Sequence, residues 1–415
     1  MSKIISSIDI GNSKIICLIA QLNDENRIYI KSASIYESRG IVNSNIVDID
    51  LITQSIVKTI AKAEKIFKKN IDTLSVNISG DKLKSKEHNA EIDFAINKII
   101  DKRNIFYLSK ELKTKLESDN KTLIHAIPVN YFVNKIKVEN PIGMSGNNLK
   151  IQFHTFYTNK NKIDNFVNCF KKIQLKVDSF VFSAYASALA TMTEEEKKMN
   201  ILVIDLGSLQ TSFALMIKNK FVFGHSIPLG GATITMDIAN VLKTDFSVAE
   251  NIKLHNTNLF FSEVENREFI KINISNNDKE LYRISHFKKG LINNIFKERI
   301  LEIIEIIIEI IKNKGFDNIN KIILCGGTAK VLGVDIFINE KIKIDTRVGY
   351  INGRNFLISH MLDKEIMREP IYATSIGILQ YIVNSYRQNG INTMKSGKNN
   401  FVNKVIDFLI NLFIS

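Results

Sequence analysis

Apolar runs that stop abruptly at Asp or Gly set the pattern of this chain. Ile201-Leu202-Val203-Ile204 is four consecutive apolar residues and ends in Asp205-Leu206-Gly207. Such a run predicts a strand covered by helices on both faces. The stretch from Ile5 repeats it, ending in Asp9-Ile10-Gly11 and continuing into Asn12-Ser13-Lys14. A third strand, Ile322 to Cys325, runs into Gly326-Gly327-Thr328. A carboxylate and a tight turn at the carboxyl end of a strand lie where open α/β sheets bind ligands. Two such ends half a chain apart predict two similar halves facing one phosphate-bearing ligand.

The remaining pattern fills in around these strands. Ile15–Ala20 and Ile28–Ile30 predict strands, and apolar residues at helical spacing between Asp48 and Lys69 predict an amphipathic helix. Leu74–Gly80 alternates as a strand. From Asp81 the composition turns polar, and a piece reaching about Lys160 has its own pattern: a helix over Ile99–Leu116, strands at Thr122–Ile127, Tyr131–Val138 and Lys150–Phe156, and a turn at Pro141–Gly146. It reads as an inserted subdomain. Helices are expected over Lys162–Lys172 and over the small residues Ser183–Thr191, which permit close packing, with a strand at Val177–Phe182 between them. In the second half, helices are expected at Asp237–Leu242, Ser247–His255 and Ile371–Val383, and short strands at Leu259–Val264 and Phe269–Ile274. One long helix is expected over Ile284–Lys312, its wet stripe made of Glu298, Glu302, Glu305, Glu309 and Lys312.

Composition narrows the class. The chain has 415 residues, 45% hydrophobic and 24% charged, enough for more than one packed unit. Its 56 basic and 43 acidic side chains leave +13, which favours acidic partners such as an anionic membrane surface or an acidic peptide. The lysines are scattered and no nucleic-acid signature accompanies them, so nucleic acid is not an expected partner. Cys17, Cys169 and Cys325 lie in apolar stretches without a C-x-x-C, which predicts buried reduced thiols. No apolar signal segment opens the chain and no run is long enough to span a bilayer, so a cytosolic protein is expected.

The tail changes that picture. Residues 386–400 are mostly Asn, Lys, Ser and Gly and read as a flexible linker. In 401–415, Asn403, Asp407 and Asn411 form one polar stripe while Phe401, Val405, Phe408, Leu409, Leu412 and Phe413 face away. A helix of that length spans roughly 22 Å, short of the roughly 30 Å hydrocarbon core. It predicts an interfacial anchor, apolar side down, aided by Lys395, Lys398 and Lys404 near anionic lipid. One short helix binds weakly, so stable attachment requires several copies.

The turns carry candidate chemistry. Gly11 allows close backbone approach, Asn12 and Ser13 offer donors to phosphate oxygens, and Lys14 neutralises their charge. Asp9 sits behind, placed to hold Mg²⁺ through water. Asp205 and Gly207 close over from the other half, with Gly230-Gly231 and Gly326-Gly327 completing the cleft. One such turn alone is more often only a good turn; the repeat with the Gly pairs favours a nucleotide site. Glu250 and Lys253, three apart on a predicted helix, are placed to flank a nucleoside, although that spacing also suits a plain surface ion pair.

At these residues the chain resembles the actin, heat-shock chaperone and sugar-kinase ATPase superfamily, and within it the FtsA family of bacterial division proteins. The resemblance rests on Ser7–Lys14, Ser38-Arg39-Gly40, Ile124–Pro128, Asn140-Pro141-Ile142-Gly143-Met144-Ser145-Gly146, Ile227–Ala239, Ala249–Lys253 and Leu324–Ala329, in order over nearly the whole chain. It implies an α/β, actin-like fold of two lobes around a nucleotide cleft: a 1A-like core (1–80 and 162–199), an inserted 1C-like subdomain (81–161), a 2A-like core (200–246 and 320–385) and a 2B-like subdomain (247–319). It also implies ATP and Mg²⁺ as ligands, self-assembly into filaments, and a peripheral place on the inner membrane face at the division septum. Other division proteins are implied to meet the 1C-like subdomain. The acidic C-terminal peptide of FtsZ is the implied partner of the 2B-like subdomain, which here carries Arg283, Lys288, Lys289, Lys297 and Arg299.

One departure stands out. The family continues the central strand as Asp-x-Gly-Gly-Gly-Thr, whereas this chain reads Asp205-Leu206-Gly207-Ser208-Leu209-Gln210-Thr211. Leu209 and Gln210 supply bulk in the stretch where Gly-Gly-Thr would let backbone touch phosphate, which argues against ATP turnover. The rival expectations are an active ATPase or kinase of the same fold, or another actin-like scaffold such as PilM.

Overall fold

The computed structural model describes residues 3–23, 27–80, 82–260, 262–275, 282–351, 356–358 and 364–389. The expected linker beyond Asn389 and the expected anchor helix at 401–415 lie outside the described residues.

In the first half, β1 (Lys3–Ile10), β2 (Lys14–Leu22) and β3 (Ile28–Glu37) form an antiparallel meander, followed by a short hairpin of β4 (Ile41–Val42) and β5 (Asn45–Ile46). Helix α1 (Ile49–Phe67) starts where Asp48 accepts hydrogen bonds from the amides of Asp50 and Leu51 and ends at a left-handed Lys68. It covers the sheet and leads to β6 (Thr73–Ile78), which pairs parallel to β1. The chain then leaves the sheet. β7 (Lys84–Ile99), α2 (Lys102–Ser118), β8 (Lys121–Val133), β9 (Ile136–Val138) and β10 (Ser145–Asn159) form a separate sheet in the order β7-β10-β8-β9. Helix α3 (Lys160–Lys172) returns the chain to β11 (Lys176–Phe182), parallel to β6, and then to α4 (Ser183–Thr191).

The second half begins with the same plan. β12 (Asn200–Leu206), β13 (Thr211–Ile217) and β14 (Lys220–Ile227) form a meander, and α5 (Gly231–Leu242), α6 (Phe246–Asn256) and α7 (Glu263–Arg267) follow. The hairpin of β15 (Phe269–Ser275) and β16 (Tyr282–Lys288) precedes the long α8 (Lys289–Lys312). β17 (Lys321–Cys325) lies parallel to β12, and α9 (Val334–Ile342) leads to β18 (Asp345–Val348), parallel to β17. β19 (Phe356–Ile358) crosses back to the edge of the first sheet beside β3, and α10 (Ala373–Asn389) ends the described chain. Apart from the added edge strand β19, the orders β11-β6-β1-β2-β3-β19 and β18-β17-β12-β13-β14 are one topology used twice. One apolar core joins the first sheet, the inserted sheet and one face of the second sheet (Ile201, Val203, Ala214, Ile323), and a second core covers that sheet's other face (Leu202, Ile204, Leu215, Leu324).

Helices α4 and α10 cross in close contact: a Cβ on Gly377 would lie 1.7 Å from the Ala186 carbonyl oxygen, so only glycine fits there. The small residues of α4 are what make that approach possible. Beside this crossing, Tyr185 stacks on Phe221 at 4.6 Å and His125 meets Phe156, Tyr185, Phe221 and Tyr381 edge-on. Burial pushes the His125 ring down to about 3, and its Nε2 accepts the Phe182 amide.

Several sequence expectations need correction. Ile99 ends strand β7, and α2 begins only after Asp101, which caps it. β7 itself is mostly exposed, so its polar sequence hid a 16-residue strand. The expected break before Tyr131 is absent: β8 runs through Pro128, which stands opposite Phe153 beside a bulge at Val129. The turn comes instead at Asn134 and Lys135, both with positive φ. Leu259–Val264 is not a strand, and α7 starts at Glu263 behind a Ser262 cap. Residues 284–288 are strand rather than helix, paired with β15 before α8 begins. Helix α5 starts six residues earlier than Asp237, and α10 runs six residues beyond Val383 to Asn389, into the expected linker.

Candidate functional site

The two Asp-x-Gly turns face one cleft and are built alike. In the first, Ile10 pairs with Ile15 and the turn spans Gly11–Lys14; in the second, Leu206 pairs with Thr211 and the turn spans Gly207–Gln210. Both glycines sit beneath the carbonyl of the turn's last residue. A Cβ would come 2.9 Å from the Lys14 oxygen at Gly11 and 2.7 Å from the Gln210 oxygen at Gly207. That contact is why each strand must end in glycine.

The first turn is anchored by a residue with no motif signal. Asn77, at the end of β6, accepts the Ile10 amide at 2.7 Å and donates back to the Ile10 carbonyl at 3.3 Å. In the second turn, the Gly207 and Ser208 carbonyls accept the amides of Gly231 and Ala232 at 2.9 and 2.8 Å, so the turn holds the N-terminus of α5. Gly230 and Gly231 are close-packed against it: a Cβ at Gly230 would lie 2.5 Å from the Ser208 oxygen. The Gly326-Gly327 turn completes the wall. Gly326 has φ +87°, and a Cβ there would lie 2.6 Å from Asp205 Oδ1; one on Gly327 would lie 3.6 Å from Lys14 Nζ.

Charge in the cleft is unbalanced. Burial and the Asp205 charge push Asp9 up to about 8, against which Lys14 acts in the other direction. Burial raises Asp205 to about 6, opposed by a hydrogen bond from Thr374 Oγ1 at 3.2 Å and by Lys14. Lys14 is itself held below its usual range by burial. Two carboxylates that repel each other in one enclosed place, with one lysine acting on both, fit a site that receives a cation. Among the described residues no group of three or more His, Cys, Asp or Glu side chains could hold a metal ion. An ion here would rest on few carboxylates, water and its own ligand, the preference of Mg²⁺.

Glu250 and Lys253 stand on α6 as a 2.8 Å ion pair, but Lys253 is buried. Its ammonium also donates to the Gly231 carbonyl at 2.9 Å and to Thr235 Oγ1 at 2.8 Å, and Thr235 bonds Glu250. Lys253 therefore ties α6 to the glycine pair of the cleft. Thr374 lay outside every sequence motif, and Thr235 and Thr328, whose hydroxyl lies 3.4 Å from the Gly207 oxygen, lay inside quoted stretches without being singled out. Single hydroxyls become legible only when the fold brings them to a carboxylate or a turn.

The basic residues expected to meet an acidic peptide are engaged within the protein. Arg299 is clamped: its guanidinium meets both Asp237 oxygens at 2.6 and 3.0 Å and Glu302 at 2.6 Å. Lys289 pairs with Glu268 at 2.6 Å, Lys288 lies over the Phe269 ring, and Lys297 lies 5.6 Å over that of Phe337. The side chain of Arg283 lies outside the described residues.

Comparison with known proteins is decisive. The family model for "Cell division protein FtsA" matches residues 202–377, and that for the "SHS2 domain inserted in FTSA" matches residues 80–157, the segment carrying the separate β7-β10-β8-β9 sheet. The chain belongs to the FtsA family. It is 25% identical over 394 residues to the FtsA of Rhizobium meliloti (strain 1021), covering 92% of this chain and 87% of the relative. Among solved structures it is similar to the PilM-PilN type IV pilus biogenesis complex, with TM-score 0.64 and 13% identity over 90% of this chain and 97% of that one. It is also similar to MreB5 of Spiroplasma citri bound to ADP, with TM-score 0.55 and 13% identity over 91% and 96%. These neighbours establish the actin-like ATPase fold. Sequence relatives over nearly the full chain place it with FtsA rather than with a pilus scaffold or a kinase of that fold.

Proposed function

We propose that this division protein binds ATP with Mg²⁺ in the cleft, assembles into filaments on the inner membrane face, and tethers FtsZ there at the septum. The observation that carries the reading is the pair of matched Asp-x-Gly turns, which set Asp9 and Asp205 against one enclosed space with Lys14 acting on both. The donors of Gly11–Ser13, Lys14 and Gly207 would hold phosphates, the two aspartates the ion, and Gly230-Gly231, Glu250, Lys253 and Gly326-Gly327 the nucleoside side. A nucleotide in MreB5, of the same fold, supports the ligand class. The four-part division around 81–161 and 247–319 stands as the working description of the lobes.

Support for the tether comes from the sequence of 401–415, whose polar stripe and apolar face suit an interfacial helix. Among the described residues no helix is long and apolar enough to cross a membrane. Positive charge on the second half suits an acidic peptide. Lys288 and Lys297 are better placed to engage it than Arg299, which would first have to leave Asp237. Co-sedimentation with anionic liposomes tests the reading: the full chain should carry an FtsZ C-terminal peptide into the pellet, and Lys297→Glu should cut that recruitment several-fold while the protein itself still pellets. If the full chain stays in the supernatant, the tether reading is wrong.

A further inference from the structure

The second turn ends in a residue that leaves the cleft and crosses to the other half. Gln210 Nε2 donates to Ser44 Oγ at 2.6 Å and to Ser79 Oγ at 2.5 Å, and the two serine hydroxyls lie 2.9 Å apart. All three side chains are buried. Ser44 belongs to the tight turn between β4 and β5, and its amide donates to Asn12 Oδ1 at 3.3 Å. A hydrogen-bonded chain therefore runs from the first turn, through Ser44, to the second turn. A parallel crossing lies beside it: the Gly80 amide donates to Ser226 Oγ, which meets Ser212 Oγ at 2.9 Å.

The duplicated topology gives Gln210 its meaning. It occupies in the second turn the place that Lys14 occupies in the first. Lys14 reaches from the first half to Gly327, just past β17; Gln210 reaches from the second half to Ser79, just past β6, the strand equivalent to β17. We infer that Gln210 is a latch that ties the halves together behind the cleft and sets the rate at which the cleft opens. The inference rests on the nucleotide reading above for its kinetic consequence, though not for the latch itself.

Each partner of this latch is tied into its own half. The second turn moves with α5 because its carbonyls hold the first amides of that helix. Ser79 continues β6, and Lys162 Nζ donates to its carbonyl at 2.7 Å. Separating the halves strips the Gln210 amide of both its acceptors, while Ser44 and Ser79 keep only each other, which opposes opening until water reaches them. A latch formed both with and without ligand resists entry and exit alike. Removing it speeds both and leaves the equilibrium nearly unchanged, the signature of a gate rather than of a ligand contact.

The test uses the full chain with Mg²⁺ and a fluorescent ATP analogue, comparing wild type, Gln210→Ala, the Ser44→Ala/Ser79→Ala pair and the triple variant. Loss of two buried hydrogen bonds should raise the dissociation rate about tenfold, with association rising in step and Kd moving less than about threefold. The serine pair should match Gln210→Ala, and the triple variant should add nothing. Amide hydrogen exchange on nucleotide-free protein gives an independent reading: exchange should quicken at 77–80 and 207–211 together. Gln210→Asn, too short to reach both serines, should behave as the alanine variant does and guards against a fold defect. Wild type that binds no analogue while Gln210→Ala still loosens both segments would sink the nucleotide reading and uphold the latch. Exchange unchanged in both segments, or a Kd weakened through the dissociation rate alone, would overturn the latch.

Discussion

The first and second turns share backbone geometry and differ in the residue that closes them. Lys14 keeps a cation among two aspartates, whereas Gln210 turns a neutral amide toward two serines of the opposite half. Equal scaffolds thus carry unequal tasks: one turn supplies charge to the cleft, the other supplies attachment between its walls. A duplicated fold keeps the carboxylate and the glycine in both copies because strand register demands them, and leaves the last turn position open to specialise.

Breaking the first turn should have the larger effect. Lys14→Ala removes the cation nearest both aspartates and should weaken nucleotide binding by about 100-fold or more, roughly the loss of one buried charge-assisted contact; isothermal titration reads this directly. Gln210→Ala in the same assay should stay within a few-fold.

The carboxylates sharpen the comparison through pH. Asp9 is raised from 3.8 to about 8, so between those values the folded protein holds a proton that the unfolded chain releases. Below about 6.5 the buried His125 and Asp205 titrate with opposite signs, so the clean signature of Asp9 is a fall in nucleotide-free stability from about 6.5 toward 8 that levels off above it. Asp9→Asn should flatten that slope and raise the melting temperature at pH 8 while abolishing Mg²⁺-dependent nucleotide binding. A slope between about 6.5 and 8 that persists in this variant would mean that Asp9 is not the titrating group.

The smallest change should come from making the second turn resemble the family's. Ser208→Gly/Leu209→Gly/Gln210→Thr restores backbone access to phosphate and removes the latch. Phosphate release, low in wild type, should become measurable, along with faster nucleotide exchange. No gain in release would show that the second turn is not what restrains turnover.

Much of this was legible beforehand, for identifiable reasons. Asp9, Gly11, Asp205, Gly207 and the later glycine pairs were readable because a buried strand ending in Asp-x-Gly constrains both register and turn. The helices α1, α3 and α4 followed from periodicity and small-residue packing. β7 escaped because an exposed edge strand needs no apolar face, and 284–288 escaped because pairing with β15 outweighed the apolar run into α8. Arg299 looked like free charge in sequence, but Asp237, 62 residues away, neutralises it. The role of Gln210 was half visible: its bulk signalled a departure from the family, while its partners lay 131 and 166 residues distant.

Helix α10 begins beside the cleft, where Thr374 touches Asp205 and the Ser375 carbonyl accepts from Ser7, and it runs on for 17 residues. At about 1.5 Å per residue that is a rod of roughly 25 Å, seated at Gly377 so tightly that it cannot slide. Whatever pulls on the chain beyond Asn389 therefore pulls on a lever whose short arm ends at the carboxylate expected to face the ion.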